Sequence, residues 1–330
     1  MNVAVLGAGN WGTTAALLLH GNGHGVRLWE YDAILAREII RMHENSKFLP
    51  GHAIPDDIAV TSDVGEAVNG ADIVVFVVPS VHMRATARRA CESLAIGGNA
   101  VLVSLSKGLE HETFGTMTEV IADEVPGYRI VAMSGPCIAS EVARGLPTTI
   151  VSASEDPAAA EMVQDVFMSS RFRVYTSDDP RGVQFGGAVK NIIAIAAGMN
   201  DGLGFGSNAK SALVTRGIVE LTRFGEALGA RPETFTGLSG IGDLITTCFS
   251  AYSRNRHVGE EIGKGRRLDD VLKDMVMVAE GVPTTRTVCE YSIAHGIDMP
   301  ITEKVYDVLF NNLPADAAVQ DLMMREKKAE

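Results

Sequence analysis

Short apolar runs rich in Val and Ile recur through the first half of the chain: VAVLG (3–7), VRLW (26–29), IVVFVV (73–78), AVLVSL (100–105) and RIVAMS (129–134). All but VRLW are followed by a loop carrying Gly, Ser or Pro, and helix-periodic stretches such as TTAALLLH and MRATARRACESL lie between them. Parallel strands need long crossovers and are buried on both faces, so this alternation predicts βαβ units and a doubly wound sheet. TTIVSA (148–153) and FRVYTS (172–177) extend the same sheet. After about residue 180 the texture changes. VQFGGAVKNIIAIAAGM, ALVTRGIVELTRFGEALG, TRTVCEYSIAHG and ITEKVYDVLF are long and helix-periodic, with no strand among them. The pattern divides the chain into an α/β domain over 1–180 and an all-helical domain over 181–330, joined through TSDDPRG (176–182). Only the charged stretch REKKAE (325–330) reads as a disordered tail.

A chain of 330 residues is long enough for two such cores. Its net charge of −12 argues against nucleic-acid and anionic-membrane partners, which select basic surfaces. Cys91, Cys137, Cys248 and Cys289 show no CxxC spacing, and the histidines form no HxH or HExxH set. Reduced thiols and no metal site are expected. The opening MNVAVLGAG has no basic segment before its apolar run and reads as a first strand rather than a signal peptide. The longest apolar run, 192–199, is far shorter than the roughly 20 residues that span a bilayer. A cytoplasmic protein is expected.

GAGNWG places Gly7, Gly9 and Gly12 in GxGxxG spacing directly after the first strand and at the start of a helix. In that context the first glycine permits a tight turn and the second lets a pyrophosphate approach the backbone. The third lets helix and strand pack closely. A dinucleotide is the implied ligand, NAD or NADP. The second strand ends at Glu30, 18 positions after Gly12, near the interval where a carboxylate meets the adenine ribose. A carboxylate there favours NAD, and Tyr31 adds no positive charge, although Arg27 or Arg37 could partly compensate for NADP. The competing reading is that Glu30 points into solvent. Further along, Pro79-Ser80, Ser106-Lys107-Gly108 and Gly135-Pro136 all follow strands, where open α/β sheets bind ligands. Lys107 is either a ligand there or a solvated loop lysine.

The stretch GGAVKNIIAIAAGMNDGLGFG (186–206) sets Lys190 beside Asn191 among apolar residues. Such a lysine either snorkels to water or is held for chemistry. Proton transfer to and from a ketone-derived alkoxide is one such chemistry, if burial or neighbouring cations bring the lysine toward working pH. SRN (253–255) stands where a helix through HVGEEIG begins, so hydroxyl, guanidinium and amide can meet an anion at a helix N-terminus. Arg256 reads as a solvated arginine.

Several segments then follow one another in family order: GAGNWG, VPS (78–80), SKGLE (106–110), SGPCIASEVARGLPT (134–148), VKNIIAIAAGMNDGLGFGSNAKSALVTRG (189–217), GLSGIGDLITTC (237–248), SRNRHVG (253–259) and VAEG (278–281). Together they resemble the bacterial-type NAD(P)-dependent glycerol-3-phosphate dehydrogenases, over nearly the whole chain. The resemblance implies a Rossmann-like N-terminal domain, an all-helical C-terminal domain, and interconversion of dihydroxyacetone phosphate and glycerol 3-phosphate for phospholipid synthesis. It implies Lys190 as catalytic acid/base. Lys107, Gly135, Cys137, Asn191, Asp243, Ser253, Arg254 and Asn255 would touch substrate. Asn10, Trp11, Lys107, Ala139, Arg254, Val278 and Glu280, with Gly7, Gly9, Gly12, Glu30 and Tyr31, would touch the cofactor. The implied partners are a small phosphorylated substrate and a second copy of the chain, as a homodimer. Cys137 departs from the Ser or Thr common in relatives and is a poorer hydrogen-bond donor. Two other readings compete: a related dehydrogenase for a β-hydroxyacid or opine, and a catalytically silent nucleotide sensor. The first need not carry SRN after a GxGD helix, and the second has no reason to retain Lys190, Asp243 and Arg254 together.

Overall fold

The computed structural model describes residues 1–94 and 98–327, so the last three residues of REKKAE lie outside the described residues. The chain forms two compact units, residues 1–110 with 115–184, and residues 111–114 with 185–330.

The first unit alternates strands and helices. Its elements are β1 (Asn2–Leu6), α1 (Asn10–Gly21), β2 (Gly25–Trp29), α2 (Ala33–Met42), β3 (Ala59–Thr61), α3 (Val64–Val68), β4 (Ile73–Phe76) and α4 (Met83–Cys91). There follow β5 (Val101–Ser104), α5 (Met117–Glu124), β6 (Arg129–Ser134), α6 (Ala139–Ala143), β7 (Thr148–Ala153), α7 (Pro157–Phe167) and β8 (Phe172–Ser177). Eight strands pair in the order β3-β2-β1-β4-β5-β6-β7-β8. Alternation along each strand sends side chains to opposite faces, and both faces are buried. Val3, Val5, Val75 and Val103 join one core cluster; Ala4, Leu6, Val74, Phe76 and Leu102 join the other. Every expected strand is present. Two features were not anticipated: the three-residue β3, and the antiparallel pairing of β7 with β6 within an otherwise parallel sheet. The strands that lead into the chemistry-bearing loops, β1, β2, β4, β5 and β6, all run parallel. Their carboxyl ends therefore share one edge.

The second unit is helical: α8 (Pro180–Gly202), α9 (Ser207–Ala227), α10 (Pro232–Phe235), α11 (Asp243–Phe249), α12 (Arg254–Gly263), α13 (Leu268–Asp274), α14 (Gly281–His295), α15 (Pro300–Phe310) and α16 (Ala315–Met323). The expected division after residue 180 falls at the start of α8, whose first residues cluster with the first unit. From 182 to 200 α8 is buried at every position but one, because it is apolar on all sides. Where α8 meets α12 no side chain intervenes. A Cβ on Gly198 would lie 1.9 Å from the Arg256 carbonyl oxygen, and one on Gly259 would lie 1.9 Å from that of Ile195. Backbone thus rests on backbone, which ties α12 to the C-terminal half of α8.

One buried acid serves the fold alone. Glu220 on α9 accepts the Ile301 N–H at 2.6 Å and the Thr302 N–H at 3.2 Å, capping α15 after its opening Pro300. Burial pushes its carboxyl from an ordinary 4.5 up to about 7. Between those values the native state holds a proton that the unfolded chain has lost, so stability is highest below about pH 4.5 and falls as pH rises toward 7. The contribution is roughly 3 kcal/mol across that window. Glu220→Gln keeps an acceptor but cannot ionise. Urea-unfolding free energies measured from pH 4.5 to 7.5 should decline less steeply in the variant than in the parent; parallel profiles would contradict this role.

Candidate active site

In the first unit, Gly7 adopts φ +117° and donates its N–H to the Trp29 carbonyl at 3.0 Å, and a Cβ on it would lie 2.8 Å from the Val77 carbonyl oxygen. A Cβ on Gly12 would fall 1.7 Å from the Gly7 carbonyl oxygen. These two glycines are required for turn and packing. A Cβ on Gly9 would meet nothing within 4 Å, so the start of α1 has an open approach. The first turn of α1 carries no acidic residue, and no side chain caps it. The N–H groups of a helix N-terminus, an open approach and a favourable dipole fit a pyrophosphate. Asn10 opens α1, and its carbonyl accepts the Thr14 hydroxyl; the partly buried Trp11 ring lies 6.4 Å from that of Phe172.

Glu30 is 9% exposed, which removes the solvent-facing reading. Its carboxylate accepts the Asp32 N–H at 2.9 Å, and burial raises its pKa, opposed by that bond and by one from the Ala8 N–H. Tyr31 is 74% exposed and packs edge-on against Trp29. Arg27 does not serve this corner, because it donates to the carbonyls of Glu66 and Asn69. After β5 and β6, the Lys107 Nζ donates to the Gly135 carbonyl at 3.0 Å and reaches the Cys137 Sγ at 3.5 Å. Lys107 is therefore tied to the loop, not loose in solvent. Ala139 opens α6, and its carbonyl accepts the Thr14 hydroxyl of α1 at 3.4 Å.

In the second unit, Lys190 sits within the buried run of α8 and is 4% exposed, so it does not snorkel. Its ammonium is paired with Asp243, itself 2% exposed, and donates to the Thr247 hydroxyl at 2.6 Å. A π-helical turn, Leu238–Gly242, delivers Asp243 to the first position of α11. Such turns recur where a side chain must be re-aimed. Thr247 lies one turn further along α11 and donates its proton to the Asp243 carbonyl at 2.7 Å. Lys190 is thus buried, one of the two conditions considered from the sequence, and Asp243, considered there as a group that could orient it, is its carboxylate partner. A carboxylate stabilises the ammonium form.

A second cluster gathers at the starts of α12 and α14. Ser253 caps α12 by accepting the Arg256 N–H. Arg254 donates to the Val278 carbonyl at 2.8 Å. The residue keeps an exposed face, yet desolvation of its guanidinium lowers its pKa from the ordinary arginine value, with nearby Glu280 opposing. Asn255 is buried, and its Oδ1 accepts the Gly281 N–H at 2.9 Å. A Cβ on Gly281 would lie 2.8 Å from the Asn191 carbonyl oxygen, so Asn191 borders this cluster, and its amide donates to Gly187 at 3.4 Å. Arg256 is not solvated as expected: its Nε donates to Asp201 at 2.6 Å, and Asp201 also holds Lys210.

Two residues escaped sequence reasoning. Thr247 had a usable signal, since it stands four positions after Asp243 on one helix face. Asn45, fully buried, donates to the Ala8 carbonyl at 2.7 Å and the Thr13 hydroxyl at 2.8 Å, fixing the glycine turn from a loop that carries no motif.

A glycine turn opening on a helix N-terminus at the carboxyl edge of a doubly wound sheet, with a buried lysine–carboxylate–hydroxyl set on a helical unit, defines a nicotinamide-dependent dehydrogenase. The family model for the NAD-dependent glycerol-3-phosphate dehydrogenase N-terminus matches residues 2–160, and that for its C-terminus matches residues 179–320. The chain belongs to this family. It is 49% identical to a glycerol-3-phosphate dehydrogenase (NAD(P)+) of Chlorobium phaeobacteroides, with 100% of this chain and 99% of that protein covered. Identity to the enzyme of the same name from Geobacillus thermodenitrificans is 48%, covering 100% and 96%. The crystal structure of glycerol-3-phosphate dehydrogenase from Coxiella burnetii superposes with a TM-score of 0.95 at 36% identity, covering 98% of this chain and 99% of that one. Among the described residues, no helix is long and apolar enough to cross a membrane.

Proposed function

We propose that this chain interconverts dihydroxyacetone phosphate and sn-glycerol 3-phosphate, with Lys190 as proton donor and acceptor. The observation that carries the reading is the buried Lys190–Asp243–Thr247 set. Residues 1–180 carry the dinucleotide groups: Gly7, Gly9, Asn10, Trp11, Gly12, Glu30, Tyr31, Lys107 and Ala139. Residues 181–330 carry the acid/base and anion groups, with Val278, Glu280 and Arg254 adding to the cofactor set.

The nicotinamide dinucleotide, when bound, supplies or accepts the hydride. In reduction, the Lys190 ammonium gives its proton to the developing alkoxide and lowers its charge as it forms. In oxidation, the neutral amine takes the hydroxyl proton. Asp243 and Thr247 hold Nζ in one orientation through both directions. Arg254, with the N-terminus of α12 capped by Ser253, offers charge and N–H groups to the phosphate. Asn191 and Asn255 are the further substrate groups of the helical unit, and Lys107, Gly135 and Cys137 are those of the first unit. Supply of glycerol 3-phosphate for phospholipid synthesis, a cytoplasmic location and a homodimer belong to the same proposal.

The test is to mix the protein with dihydroxyacetone phosphate and NADH or NADPH, follow nicotinamide absorbance and identify the product. Oxidation of the nucleotide with formation of glycerol 3-phosphate is expected, with kcat/KM for NADH at least equal to that for NADPH because of Glu30. No oxidation of either nucleotide would overturn the reading, and a strong NADPH preference would remove Glu30 from ribose recognition.

A further inference from the structure

Sequence reasoning leaves the corner after β2 with two acids, Glu30 and Asp32, which caps α2, with the uncharged Tyr31 between them, and with Arg27 and Arg37 as the cations that could compensate. The fold changes that. Alternation places Trp29 and Tyr31 on one side of the chain and Glu30 on the other. Trp29 shares a core cluster with Met83, Ala87 and Ala90 of α4. This packing brings Arg89 of α4 over the aromatic pair, its guanidinium 5.4 Å from the Trp29 ring centroid and 5.9 Å from that of Tyr31. The preceding Arg88 pairs with Glu124, whereas Arg89 has no carboxylate partner among the described residues. An exposed guanidinium held only by ring faces is weakly held and keeps its donors available.

We propose that Arg89 recognises the 2′-phosphate of NADP, supplying from α4 the positive charge that Tyr31 does not, and so lets this chain use NADP beside NAD. The proposal rests on the dehydrogenase reading above. Glu30 favours the unphosphorylated ribose, and Arg89 offsets its repulsion of the 2′-phosphate. Two other cations compete for this role: Arg37, carried by α2 after the corner, and Lys47, which lies over the Phe48 ring and close to the Glu30 carboxylate. Arg27 is excluded by its two carbonyl partners.

The experiment titrates ADP-ribose and 2′-phospho-ADP-ribose into the full chain by calorimetry, and measures kcat/KM for NADH and NADPH, in the parent and in Arg89→Ala, Arg89→Lys, Arg37→Ala and Lys47→Ala. Arg89→Ala should weaken 2′-phospho-ADP-ribose by about tenfold or more and leave ADP-ribose within about twofold, with NADPH and NADH kinetics following suit. Arg89→Lys should fall between, since a point charge replaces the fork. Equal losses for both ligands, no loss for either, or a selective loss in the Arg37 or Lys47 variant with Arg89→Ala silent would each overturn the assignment. If the parent binds neither ligand, the dinucleotide reading fails first and this proposal with it. If ADP-ribose binds while its 2′-phosphate form does not, the proposal alone fails.

Discussion

Lys190→Ala should lower kcat by about 10²–10⁴-fold in both directions while the nucleotide still binds, because the proton shuttle is lost and the Rossmann-like unit is untouched. The substitution also strands Asp243, which is 2% exposed. An unpaired buried carboxylate destabilises by roughly 3–5 kcal/mol, so loss of activity alone could reflect loss of folding. Lys190→Arg separates the two effects. It keeps a cation beside Asp243 but cannot release a proton near neutral pH, and so should fold with a thermal midpoint close to the parent's and remain inactive. The double variant Lys190→Met/Asp243→Asn removes both charges and should likewise fold and be inactive. Turnover near the parent's in a folded Lys190 variant would take the lysine out of the mechanism.

Arg254→Ala should cut kcat/KM for dihydroxyacetone phosphate on the order of a hundredfold, the kinetic equivalent of a charged contact of roughly 3 kcal/mol. Its internal partner is the carbonyl of Val278, a residue that is 44% exposed, so water can replace the lost donor at little cost in stability. Arg254→Lys should recover part of the loss, because one ammonium cannot reproduce a planar fork. Dihydroxyacetone without its phosphate should be a poor substrate for the parent and should respond little to either change. Equal losses on the two ketones would show that Arg254 does not act through the phosphate.

Periodicity made the strands legible because a doubly wound sheet buries both faces, and only long runs of Val and Ile satisfy that. β3 escaped because its three residues, Ala59 to Thr61, are not buried and so carry no apolar signature. The direction of β7 was invisible for a different reason: side-chain alternation is the same in parallel and antiparallel strands. Glycines at close contacts were readable where they fell in a known spacing, as with Gly7 and Gly12. Residues that act from another element were not. Asn45 reaches the glycine turn from the loop after α2, and Arg89 reaches Tyr31 from α4; nothing local to either marks the partner. The same blindness explains Arg256, whose solvated reading ignored Asp201 at the end of α8. Lys190 itself was legible as an anomaly, a charge in an apolar helix, and Asp243 as a group able to orient it, but the π-helical turn that delivers Asp243 and the contact with Thr247 only appear in three dimensions.

The side-chain-free crossing of α8 and α12 has a consequence for selectivity. Gly198 and Gly259 let main chain lie on main chain, so the spacing of α8 and α12 at their crossing is set by two peptide backbones and not by side-chain packing. Such an arrangement is a fixed gauge rather than an adaptable pocket. With Lys190 as the proposed acid/base and the start of α12 as the proposed phosphate anchor, a phosphorylated ketone one carbon longer between carbonyl and phosphate should be turned over less well than dihydroxyacetone phosphate.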